Sequence, residues 1–119
     1  MKLTIDETDG ITTICLEGRL DLEETMQIDQ RLALATSTRA LLIAFDLSRL
    51  SYIASIGIRS LIMATRVQAT RGGKVAIFGP EPNVKKVLTT TGIDRLIPLC
   101  DDFAAAAAVL RAPGSAAPA

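Results

Sequence analysis

Leu41-Leu42-Ile43-Ala44-Phe45, then Asp46-Leu47-Ser48-Arg49-Leu50-Ser51-Tyr52-Ile53-Ala54, then Ser55-Ile56-Gly57-Ile58-Arg59-Ser60-Leu61-Ile62-Met63 and on to Ala69 form one continuous run of three segments around which the chain is organised. The first segment is apolar without alternation, as a strand buried on both faces of a parallel sheet should be. The second is a short polar break, read as a loop from Leu47 to Ile53. There the Asp46 carboxylate is expected to satisfy backbone groups through an Asx-type hydrogen bond. The third is an amphipathic helix opening at Ser55, a good N-cap residue because its oxygen can accept from a free N–H of the first turn.

At about 100° per residue, Ile58, Leu61, Ile62, Thr65 and Ala69 share one helical face, the expected core face. Ile56, Ser60, Met63 and Val67 fall roughly opposite. A helix lying on a sheet should be polar there. Two readings stand for this outer stripe. It is a surface for another protein, or it is covered by a further helix or consists of scattered apolar residues without a role.

Outward from this stretch the chain keeps alternating strand and helix. Leu3-Thr4-Ile5 and Ile11 to Leu16 read as strands around an Asp9-Gly10 hairpin turn. Asp21 with Glu24 three residues on has the form of a capping box, so a helix should start there, with Thr25, Ile28, Leu32 and Ala35 inward and an end at Ser37-Thr38-Arg39. Arg71-Gly72-Gly73 stops the central helix and Lys74 to Phe78 is the next strand, giving a βαβ unit with parallel strands and a right-handed crossover. Gly79-Pro80-Glu81-Pro82 leads into a third helix with Val84, Val87, Leu88 and Thr91 inward and Gly92 as its terminator. Ile93 to Leu99 holds a short edge strand, limited by Pro98. Asp101-Asp102 should cap a last helix through the alanine run, with Phe103, Ala107 and Leu110 inward. The expected fold is one α/β domain over residues 1–111, a mixed sheet of four or five strands packed with about four helices. Residues 112–119, ending Pro-Gly-Ser-Ala-Ala-Pro-Ala, are expected to be a flexible tail.

Composition narrows the function. The 119 residues carry 13 basic and 13 acidic side chains, a formal net charge of zero. With no basic patch or polybasic arm, nucleic acid and a charged membrane surface are not the expected partners. The N-terminus lacks the apolar centre of a signal peptide and no run approaches a membrane span, so a cytoplasmic protein without direct membrane insertion is expected. Histidine is absent. That excludes Ser-His-Asp and Cys-His catalysis and histidine-based metal sites. Cys15 and Cys100 stand far apart and read as buried thiols rather than a disulfide or metal pair. Gly72-Gly73 and Gly79 form no phosphate-binding loop. Neither an enzyme activity nor a cofactor is expected.

The ordered set Asp46-Leu47-Ser48-x-Leu50-x-Tyr52-Ile53-x-Ser55-x-Gly57-Ile58 resembles the signature of STAS domains, the sulfate-transporter and anti-sigma-antagonist fold. Leu16-Glu17-Gly18-Arg19-Leu20-Asp21 resembles that family's strand end "Leu-x-Gly-x-Leu-Asp". Gly72-Gly73-Lys74, Val84-Lys85-Lys86-Val87-Leu88 and Gly92-Ile93 continue the likeness, which spans residues 3 to 111. In the bacterial anti-sigma factor antagonists the segment before the helix usually reads Asp-Ser-Ser-Gly, and its first serine is phosphorylated by the partner kinase. Ser55 matches that serine and Gly57 the glycine, whereas Ala54 replaces the aspartate and Ile56 the second serine. Asp21 matches an acidic position implicated in partner recognition and ranks above Asp46 as a functional residue.

The resemblance thus implies an anti-sigma factor antagonist working by partner switching. Its partners would be a serine kinase/anti-sigma factor and a phosphatase. Ser55 would be the phosphoacceptor, and Asp21, Ile56, Gly57, Ser60, Met63 and Val67 the partner-binding set. The alternative is a non-switching STAS subunit of a transporter or other multiprotein assembly, with Ser55 only a cap.

Overall fold

The computed structural model describes residues 2–112. Of the tail expected over residues 112–119, only Ala112, the C-cap of the last helix, is described; the remainder lies outside the described residues. Strand β1 (Lys2–Thr8) turns into β2 (Ile11–Leu20) through Asp9 and Gly10, with φ of 52° and 82°. Two successive left-handed residues are what a tight two-residue hairpin needs to match strand twist. Helix α1 (Leu22–Ser37) follows, then β3 (Leu42–Asp46), β4 (Leu50–Ile53), α2 (Ser55–Arg71), β5 (Lys74–Phe78), α3 (Pro82–Thr90), a 3₁₀ turn (Ile93–Arg95), β6 (Leu99–Cys100) and α4 (Phe103–Arg111).

The sheet has six strands in the order β1-β2-β3-β5-β6, with β4 beside the upper part of β2. The β1–β2 pair is antiparallel and every other pair is parallel. The ten-residue β2 is longer than its neighbours. Its first half pairs with β3, and Gly18 to Leu20 pair with β4 with a register shift between Gly18 and Arg19. Ser51 of β4 is the extra residue at this irregularity, and the pairing resumes through Leu20 and Ile53 just before the start of α2. Strand β4 replaces the loop that the sequence leads one to expect, because Leu50 and Ile53 are its two buried residues and their spacing of three breaks the period of two. The Asx expectation at Asp46 holds: Oδ1 accepts from Ser48 N at 3.0 Å and from Ser48 Oγ at 2.6 Å.

Two apolar layers sandwich the sheet. Ile14, Leu16, Ile43, Phe45, Val75 and Ile77 point to one face, where Ile28 and Leu32 of α1, Ile58 and Leu61 of α2 and Val84 and Leu88 of α3 cover them. Ile11, Ala44 and Ala76 point to the other, where Ala106, Ala107 and Leu110 of α4 pack. Small residues in both the strands and the helix let α4 sit close. Asp102 caps α4 by accepting from Ala105 N at 2.8 Å, and Phe103 meets Phe78 edge-on at 5.9 Å. Gly72 and Gly92, both left-handed, end α2 and α3. Val87 proves exposed rather than inward, and on α1 Thr36 is buried in place of Ala35.

The largest correction concerns the faces of α2. Its buried residues are Gly57, Ile58, Leu61, Ala64 and Gln68, whereas Ala69 is exposed and Ile62 and Thr65 are only half-buried. The real core face is turned by roughly 70° from the expected one at about 100° per residue. A polar Gln68 hid it. This side chain is fully buried because it serves backbone: Oε1 accepts from Leu41 N at 2.7 Å, while Nε2 donates to the carbonyls of Thr36 and Arg39. It thereby closes the connection from α1 to β3.

Candidate functional site: the start of the central helix

The site is built where β2 and β4 end side by side. Leu20 pairs with Ile53, and Ala54 N donates to Leu20 O at 2.9 Å. Each chain then enters a helix, α1 after Asp21 and α2 after Ala54. Asp21 and Ser55 are therefore brought to one corner of the molecule, each one residue beyond that shared hydrogen bond. Asp21 caps α1 as expected, Oδ1 accepting from Glu24 N at 2.9 Å and its carbonyl from Thr25 Oγ1 at 2.6 Å. Its carboxylate is half-buried and spent partly on the helix.

Ser55 is not the N-cap. Ala54 occupies that position, with extended backbone (φ −89°, ψ 166°), and its carbonyl accepts from Gly57 N and Ile58 N at 2.9 and 3.1 Å. The cause is the Ala54–Leu20 bond, which prolongs the β4 pairing by one residue and delays the helix. Ser55 becomes the first helical residue, exposed, and no side-chain hydrogen bond caps α2. The first turn of α2 holds no acidic side chain. Arg59 stands exposed four residues on, on the same helical flank as Ser55.

Gly57 is fixed by contact. A Cβ there would come within 2.7 Å of Leu20 Cδ2, so only glycine lets α2 begin this close to β2. The outer stripe is not opposite the core but beside it. Ile56, Ser60, Met63 and Val67 line one wall of a groove of about 400 Å³ whose other wall is α1, at Asp29, Leu32, Ala33 and Thr36. Ser60 is committed within that groove, since its Oγ donates to Asp29 Oδ1 at 2.9 Å. Met63 stays half exposed, at 51 %. Helix α1 thus flanks the stripe, as the reading of a covering helix expects, while its rim at Met63 remains open.

Sequence reasoning missed the neighbours. Leu22 and Met26 on α1 are 59 % and 66 % exposed, although their spacing of four on a helix was a legible sign of an apolar flank. Arg19 lies over the Tyr52 ring at 4.4 Å, a cross-strand cation–π pair next to the site. Asn83 Nδ2 donates to Ser51 O at 2.7 Å and ties the start of α3 to β4.

The cysteines lie on one register row, Cys15 beside Asp46, Asp46 beside Phe78 and Phe78 beside Cys100. Three strand spacings of about 4.8 Å put them near 14 Å apart, beyond disulfide reach. Both are free and half-buried, and burial pushes both thiols up, with the Asp46 carboxylate adding to the effect at Cys15. Among the described residues no group of His, Cys, Asp and Glu could hold a metal ion, and no helix is long and apolar enough to cross a membrane.

A six-stranded mixed sheet with three helices on one face and one on the other, and a helix start projecting from the strand ends, defines a class that the sequence comparisons identify. The sequence profile of the STAS domain matches residues 2–106, and the chain belongs to that family. BtrV of Bordetella bronchiseptica, assigned as an anti-sigma factor antagonist, is 29 % identical over 111 residues, 93 % of this chain and 96 % of BtrV. Among solved structures, an anti-sigma factor antagonist from Mycobacterium paratuberculosis superposes with a TM-score of 0.81 at 19 % identity, covering 93 % of this chain and 94 % of that one. The antagonist SpoIIAA in its unphosphorylated form gives 0.76 at 23 % identity, covering 92 % and 96 %. The Bacillus SpoIIAA in its phosphorylated form gives 0.65 at 21 %, covering 91 % and 99 %.

Proposed function

We propose that the chain is an anti-sigma factor antagonist that works by partner switching at Ser55. One observation carries this reading: the Ser55 hydroxyl is exposed at the first turn of α2 and performs no capping, beside an apolar rim at Ile56 and Met63. Unmodified protein binds a serine kinase/anti-sigma factor across this corner, with Asp21 at its edge. The kinase transfers the γ-phosphoryl group of ATP to Ser55 Oγ and ADP leaves. The phosphate brings about −1.5 to −2 charges. The free N–H groups of the first turn, the helix dipole and Arg59 tolerate those charges in the free protein. In an interface closed over Ile56 and Met63 they must be desolvated, and the complex separates. A phosphatase returns the protein to its binding form. The chain itself supplies no catalysis. The names of BtrV and SpoIIAA, and the two phosphorylation states of SpoIIAA, support the reading.

Ala54 favours a second reading, a fixed STAS subunit, because the acidic residue usual before the acceptor serine is missing. One experiment separates the two. The protein is incubated with its candidate kinase and ATP, and phosphate is read by intact mass while binding is read by calorimetry. Switching requires one phosphate on the wild type, none on Ser55→Ala, and weaker binding after modification. Tight binding without phosphate uptake would leave the fixed subunit standing.

A further inference from the structure

Strand β1 is an edge. It pairs with β2 on one side and with nothing on the other among the described residues. Exposed edges template further pairing, and proteins manage them with charges, bulges or a partner. Seven residues pair with β2 without a register shift, so no bulge turns the edge away. Ile5 is 49 % exposed on the same face as the buried Leu3, an apolar side chain just beyond the end of the core. On the other face lie Lys2, Thr4 and Asp6, all exposed.

We propose that β1 pairs with β1 of a second copy, antiparallel about a two-fold axis at Thr4, making one sheet continuous through both molecules. The sequence of the strand selects this register. Directly opposed residues in an antiparallel pair must share a face, so the axis must pass through a residue and not between two. An axis at Asp6 sets like carboxylates together. An axis at Ile5 sets Leu3 against Glu7. An axis at Thr4 sets Lys2 against Asp6 of the second copy twice, Leu3 against Ile5 twice, and Thr4 against Thr4. Opposite charges, apolar pairs and a threonine pair are the combinations that stabilise neighbouring strands. The exposed flank of Ile5 then meets Leu3 of the other copy and extends the apolar layer. Arg31 Nη2 donates to Leu3 O at 3.2 Å from α1, and a carbonyl has a second lone pair for the new strand. Five residues a side is a small interface, so the dimer is a weak, concentration-dependent one. It uses none of the residues at the start of α2.

The test is sedimentation equilibrium of the full chain over a wide concentration range. The wild type should show a monomer–dimer equilibrium. Lys2→Glu alone and Asp6→Lys alone each place like charges in opposition and should weaken association by roughly tenfold. The double swap restores opposite charges and should return it to the wild-type level. Lys2 and Asp6 of one copy are four residues apart on one strand, roughly 13 Å, so rescue reads only the contact between copies. A second arm fixes the register. Thr4 neighbours Cys15 across β1–β2, so the arm uses Cys15→Ala, Cys100→Ala protein. There Thr4→Cys should cross-link two copies under mild oxidation, because opposed Cα atoms about 4.5–5.5 Å apart suit a disulfide. Asp6→Cys should not. A wild type that stays monomeric throughout, a double swap that does not rescue, or equal cross-linking at positions 4 and 6 would overturn the proposal.

Discussion

Gly57 leans directly on Leu20: a Cβ built at Gly57 would stand 2.7 Å from Leu20 Cδ2, 2.9 Å from Leu20 Cγ and 3.1 Å from Ile53 Cγ1. Leu20 is 1 % exposed, so a shift away from a new Cβ would press it into the packed core. The end of β2 and the first turn of α2 therefore hold one another in place. Gly57→Ala should cost about 1–3 kcal/mol, the usual effect of overpacking a filled site. Leu20→Ala alone should cost about 2–5 kcal/mol through the cavity it leaves. Together they should cost less than their sum, because the new methyl partly fills the space. Urea denaturation of the four proteins measures this, and strict additivity would show that the two residues do not touch in solution.

Gln68 gives a second expectation, one that its polarity conceals. Gln68→Leu keeps the volume and removes both polar ends, stranding Leu41 N and the carbonyls of Thr36 and Arg39. An unsatisfied buried group costs about 1–3 kcal/mol, so the substitution should destabilise by at least that much despite its greater hydrophobicity. Amide exchange supplies a local readout. Leu41 N–H should lose protection well beyond the global change. Unchanged stability would mean that water replaces the glutamine fully.

Gln68 also marks the limit of what can be read in advance. The central β3–α2–β5 unit, the Asp21 and Asp102 caps and the glycine stops announced themselves, because each depends on local chemistry: an unbroken apolar run, a carboxylate before a free N–H, a residue without Cβ. The orientation of α2 did not. Periodicity counts apolar residues and assigns the face they share, and it must miss a buried glutamine whose partners lie in a distant connection. Strand β4 escapes for a related reason, since it is defined by pairing with the end of β2 and not by its own pattern. At the candidate site, the meeting of Asp21 with the start of α2 was carried by resemblance, whereas the exposure of Leu22 and Met26 and the Ser60–Asp29 bond needed the packing of α1 against α2.

That packing sets the expectation for Met63. Half its surface is open at the rim of the α1–α2 groove, whereas Leu61 on the same helix is fully buried. Met63→Asp should change stability by less than about 1 kcal/mol, while Leu61→Asp should prevent folding by burying a charge. If the rim binds the partner kinase, Met63→Asp should also abolish that complex in calorimetry. A large loss of stability would show that the methionine is needed by the fold itself. Full binding by a stable variant would place the interface elsewhere.

The last expectation concerns Ala54 and Ser55, whose roles are exchanged relative to a simple capped helix. Because Ser55 is the first helical residue and caps nothing, Ser55→Ala should leave stability within about 0.5 kcal/mol, as exposed substitutions do. Because Ala54 holds the N-cap position without a side-chain bond, Ala54→Asp should stabilise by about 0.5–2 kcal/mol, its carboxylate accepting from a first-turn N–H and meeting the positive end of the dipole. Ser55→Asp should gain a smaller amount from the dipole alone, and Ser55→Asn, uncharged, should not. Denaturation midpoints of the four variants order these effects. A loss on Ser55→Ala as large as the gain on Ala54→Asp would mean that the hydroxyl does cap the helix in solution. Kinase binding then separates stability from switching. Ser55→Ala and Ser55→Asn should bind as the unmodified protein does, and Ser55→Asp should bind more weakly although it is the better folded. Stability and affinity moving in opposite directions at one residue is the signature expected of a charge that the free helix start welcomes and the closed interface rejects. If instead all three bind alike, the corner around Ser55 is no switch, and a permanent subunit contact along Ile56 and Met63 becomes the better account of its exposed apolar rim.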